Sequence, residues 1–170
     1  MRCLIIILIA ICLTSCWNIR EARRVSKNFS RECTGIDTLI RIDGYYYWIN
    51  DSVGRLGLPL FFFEDGRLEV FMFSFETHEE LQSVISHRRP WRGSYRIYGD
   101  TIRIAWVKRY AVWGYIIHRS DFLIKNDTTL KQFFSSSNQA GHIIYQSEQS
   151  RIFHFHELNF PTNTQQIDKE

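Results

Sequence analysis

The chain has 170 residues, of which 45% are hydrophobic and 15% aromatic, and it carries a formal net charge of +3. That length bounds it to one domain with a sizeable core, and so aromatic a composition excludes disorder throughout. The charge is too small to imply a nucleic-acid partner, and none is expected.

Met1-Arg2 places a positive charge ahead of the apolar run Leu4 to Leu13, which has the length of about ten residues typical of a signal-peptide core. A bilayer takes roughly 20 apolar residues to cross, and Ser15, Asn18 and Arg20 end this run well before that. Residues 1–15 therefore read as a secretory signal. The four residues Leu13-Thr14-Ser15-Cys16 resemble a lipobox. The resemblance implies diacylglyceryl transfer to the Cys16 sulfur, with palmitate-type acyl chains, and cleavage before it. More than one chain gives persistent attachment, so the expected partner is the lipid bilayer and the expected location the cell envelope. Trp17-Asn18 lacks the acidic run linked with surface export in Bacteroidetes-type lipoproteins, which favours an outer-membrane anchor facing the periplasm.

Residues 16–37 form the tether. Arg20, Arg23, Arg24, Lys27 and Arg31 make it locally basic, opposed by Glu21 and Glu32, and such residues near an anionic leaflet contribute about 1 kcal/mol each. A plain solvated linker is the alternative. Cys3 and Cys12 leave with the signal and Cys16 carries lipid, so Cys33 is the remaining thiol and no intrachain disulfide is expected.

A β-rich domain is predicted over 38–160, because short aromatic and β-branched runs alternate there with turn residues. Thr38 to Ile49 reads as a first strand with Ile40, Ile42, Gly44, Tyr46 and Trp48 on one face. Leu60 to Glu64, Asp65-Gly66 and Arg67 to Phe75 read as a hairpin, since Asp-Gly accepts the positive φ of a tight turn. Thr77-His78-Glu79-Glu80 fits a capping box, followed by Leu81, Val84 and Ile85 at helical spacing, and predicts one short helix before Pro90. A second hairpin turns at Gly99-Asp100, with Ile102, Ile104 and Trp106 facing inward and Arg103 outward. Ala111 to Arg119 reads as a strand, and Asp121 to Phe134 as a hairpin turning at Asn126-Asp127. Ser135 to Gly141 reads as loop. Arg151 to Leu158 is the closing strand, Phe153 and Phe155 inward and His154 and His156 outward, and 161–170 is a flexible tail.

Hairpins in sequential order with one helical insertion predict a mainly β, up-and-down antiparallel barrel, with a β-sandwich as the alternative. The stretches Leu39 to Tyr47, Phe63 to Gly66, Gly93 to Ile102 and Ile124 to Leu130 resemble small lipocalin-like lipoproteins of Bacteroidetes-type bacteria. The first strand departs from the Gly-x-Trp pattern of lipocalins, with Tyr46 where Trp would stand.

No local signature places a nucleophile beside a base, so no catalytic residue is assigned and a non-enzymatic role is expected; a site assembled across strands is the enzymatic alternative. No cofactor is implied. His154 and His156 share one face of a strand at a spacing metal sites use, but lack an evident third ligand, so no metal is assigned. Tyr46, Trp48, Phe62, Phe71, Phe73, Trp106 and Trp113 are the candidate lining of an apolar or amphipathic ligand site, because barrels of about eight strands either fill with such side chains or hold one small molecule. Arg88, Arg89, Trp91 and Arg92 combine cations with an aromatic ring and are the candidate surface for a protein partner.

Overall fold

The computed structural model of the protein describes residues 38–110, 114–139, 142–148 and 150–158. The expected signal, Cys16 and the expected tether, Trp113 and the expected 161–170 tail lie outside the described residues.

Among the described residues, ten strands and one helix follow in the order β1 (Gly44–Asn50), β2 (Arg55–Phe62), β3 (Arg67–Val70), β4 (Ser74–Phe75), α1 (His78–Ile85), β5 (Trp91–Tyr98), β6 (Thr101–Tyr110), β7 (Gly114–Asn126), β8 (Thr129–Gln139), β9 (His142–Ser147) and β10 (Arg151–Glu157). β1 pairs with β2 on one side and β10 on the other, so the path β1-β10-β8-β7-β6-β5-β3-β2 closes into an eight-stranded antiparallel barrel. This is the predicted barrel and not the sandwich, and it is consistent with a lipocalin-like up-and-down topology. Two positions in the wall are broken strands. β3 and β4 divide the edge of β2 between them, and β10 and β9 divide the edge of β8.

The alternation legible in the sequence fills the interior. Ile40, Tyr46, Leu60, Phe62, Leu68, Tyr95, Ile102, Ile104, Phe122, Leu130 and Phe153 are buried in one cluster. Each such side chain contributes about 1.5–3 kcal/mol through removal of apolar area from water. A second cluster lies outside the barrel, where Leu81 of α1 packs on Tyr45, Phe61, Phe71 and Phe75. The helix begins as its capping box predicts, with Thr77 Oγ1 accepting from the Glu80 amide at 3.2 Å.

Several elements differ from the sequence reading: Arg67 to Phe75, expected as one strand, is split into β3 and β4, β2 begins at Arg55 and not at Leu60, and His142–Ser147, assigned to no element, is strand β9. Residues 38–43 precede β1 rather than belonging to it: they cross the barrel end, where Arg41 N donates to the Asp127 carbonyl at 3.0 Å and Ile40 is buried. The segments expected on either side of Ser120 form one 13-residue strand, β7. Ser135 to Gln139 is not loop but the end of β8, paired with β7 on one side and β9 on the other. Serine has little intrinsic β preference, and tertiary pairing overrides it here.

Candidate functional site

Pairing directions define two barrel ends. The turns at 63–66, 99–100 and 127–128 share the lower end with residues 38–43; the β1–β2 turn and the start of β5 lie at the upper end. Between them the interior is filled. Phe62 meets Tyr46 and Tyr95 edge-on at 5.7 and 5.2 Å, and Phe122 meets Phe153 at 5.1 Å.

At the lower end a cleft of about 380 Å³ is lined by Ile42, Phe62, Phe63, Glu64, Asp65 and Arg67. Its floor is apolar because Ile42 and Phe62 continue the barrel core. Its rim is charged. Arg67 Nε lies 2.5 Å from Asp65 Oδ2, and the Arg67 guanidinium sits 4.9 Å above the Phe63 ring. Gly66 supplies the positive φ of 82° that brings this rim around the hairpin.

At the upper end Trp48, Trp91 and Trp106 line the interior. Two glycines seat two of them. A Cβ on Gly93 would stand 2.8 Å from Trp106 Cβ, and one on Gly57 would stand 2.9 Å from Trp48 Nε1. His118 of β7 stacks on Trp106 at 5.2 Å and on Trp91 at 6.2 Å, while Lys108 Nζ lies 4.8 Å above Trp91. Ser137 Oγ holds His118 Nδ1 at 2.7 Å, and Gln132 Nε2 donates to Ser120 Oγ at 2.9 Å. Burial, and then Lys108, push the His118 pKa below its ordinary value, so the imidazole is neutral at neutral pH. Trp106 is 4% exposed and its buried Nε1 has no hydrogen-bond partner among the described residues. Leaving such a donor unpaired costs about 1–3 kcal/mol.

The candidate ligand residues divide accordingly. Tyr46, Trp48, Phe62 and Trp106 face the interior, whereas Phe71 and Phe73 belong to the outer cluster under α1. Trp113 lies outside the described residues. The candidate partner patch is also separated. Trp91 turns into the barrel, Arg92 is exposed and paired in register with Glu69, and Arg88 lies 5.3 Å above Phe73, with Arg89 exposed.

His154 and His156 do face outward, and each meets aromatic neighbours. His154 lies 6.3 Å from Tyr47. The His156 ring stacks on that of His78 at 3.6 Å and 1°. Tyr45 Oη hydrogen-bonds His78 Nδ1 at 2.5 Å. No group of three metal-ligating side chains is found among the described residues.

His78, Lys108 and His118 were not singled out in the sequence. The inward alternation Ile102, Ile104, Trp106 carried one step further reaches Lys108. His118 stands four residues before the inward Phe122, so alternation along β7 reaches it too. His78 was legible only as part of a capping box.

No protein-family model, curated protein or solved structure matches the chain.

Proposed function

We propose that the protein is a non-enzymatic envelope lipoprotein, held on the bilayer by acyl chains on Cys16, whose barrel binds an apolar or amphipathic small ligand at its lower end. The observation that carries the reading is the cleft of about 380 Å³, with its apolar floor of Ile42 and Phe62 and its charged rim of Glu64, Asp65 and Arg67. Small-molecule sites typically measure about 300–1,000 Å³ and combine an apolar lining with a few polar groups that set orientation. The floor suits the apolar end of the ligand and the rim its polar end. Residues 38–43, which lead from the tether, cross this same end.

The test is gentle purification of the full chain followed by native mass spectrometry. A retained small-molecule mass is expected, lost when Ile42→Trp fills the cleft. Cys16→Ala should leave the protein unprocessed or released from membranes. No retained mass, with no saturable binding of a fatty-acid probe, would overturn ligand binding, and unchanged fractionation of the Cys16 variant would overturn anchoring.

A further inference from the structure

The upper end of the barrel presents a chemistry unlike that of the lower cleft. Its interior groups are a buried indole N–H that has no acceptor among the described residues, an ammonium, and flat rings. Lys108 makes no ion pair among the described residues; its described contact is with the face of Trp91. Trp106 and Lys108 are two residues apart on one strand and point to the same side, with their Cα atoms about 7 Å apart. The neutral, oriented imidazole of His118 stacks beside both Trp91 and Trp106, so the donors stand next to a stack of parallel rings. Gly93 is part of the construction, since any side chain there would displace Trp106. An anion with two acceptor oxygens satisfies the N–H and the ammonium together, and a flat apolar body satisfies the rings.

The geometry points to a second binding site at this end, for a planar aromatic carboxylate: its ring lies against Trp91 and His118, while its carboxylate accepts from Trp106 Nε1 and pairs with Lys108. The site stands on residues separate from the lower cleft, and either can fail without the other.

The experiment is a titration of the isotope-labelled full chain, read on its five indole N–H resonances. The signal missing in Trp106→Phe is that of Trp106. Naphthoate should move this signal saturably and bind about tenfold more tightly than naphthamide, the uncharged probe of the same shape, in keeping with one charge-assisted contact. Lys108→Gln should erase the difference between the probes, and Lys108→Arg should keep it. Ile42→Trp should leave the shift intact. A Trp106 signal unmoved by naphthoate would mean that water satisfies the N–H, and the site would be overturned. Equal responses to the two probes would overturn its selectivity for an anion.

Discussion

His78 and His156 lie face to face at 3.6 Å, one carried by the first turn of α1 and the other by the outer face of β10. Tyr45 and Tyr47 of β1 close the cluster from below, His154 stands one alternation away on β10, and Glu79 follows on the helix. Stacking of this kind suits two neutral rings and opposes two cations. Burial first, and His156 second, lower the His78 pKa from its ordinary 6.5, with Glu79 pulling the other way. The unfolded chain then binds the proton more readily than the folded one, so this contribution to stability is complete above about pH 6.5 and is lost as the pH falls below it. His118 acts in the same direction. The unfolding midpoint should therefore drop between about pH 7.5 and about pH 5.5, and His78→Phe should flatten part of that slope while His118 retains the rest. A His78→Phe profile as steep as that of the parent chain would remove the stacked pair as its cause. The two histidines are 78 residues apart from each other in the chain by their numbering, and no local pattern brings them together.

At the scale of the element, α1 and β2 show opposite degrees of legibility. The start of α1 is local chemistry: Thr77 Oγ1 caps the Glu80 amide, and Glu80 Oε2 reaches back to the Glu76 amide at 2.6 Å. Thr77→Ala should cost about 1 kcal/mol. Loss of the cap should also increase amide exchange around Leu81 more than in β6, a comparison that hydrogen exchange measures residue by residue. β2 contains a feature no alternation announces. Leu58, between Gly57 and Pro59, takes a φ of 49°, beside an irregularity in its register with β1. A residue this bulky in that region carries about 1–3 kcal/mol of strain, which the surrounding barrel holds in place. The irregularity leaves Trp48 lying across Gly57. β8 was similarly hidden, because Ser137 is buried through its bond to His118 and not through any hydrophobicity of its own.

For the whole molecule the decisive event is closure between the first strand and the last. Gly44 faces Glu157 in register, and a Cβ there would stand 2.0 Å from the His156 carbonyl oxygen and 2.6 Å from the Phe155 ring. Gly44→Ala should therefore push β1 away from β10 and destabilise the barrel by about 3 kcal/mol or more, read from urea unfolding. Gly54→Ala is the control. A Cβ at Gly54 meets nothing within 4 Å, so only its φ of 65° is penalised and the loss should be smaller.

The sequence by itself determined the β-rich class, the three Gly- or Asp-bearing hairpins, the capped helix and the inward faces of β1, β6 and β10. Those follow from turn chemistry and period-two alternation, which act over a few residues. Only the tertiary structure decided which inward residues fill the middle and which line the ends, that Phe71 and Phe73 pack outside, and that Trp91 leaves the arginines beside it to join Trp106 and His118. Those outcomes depend on register between strands distant in the chain, and register is set by the closed sheet as a whole.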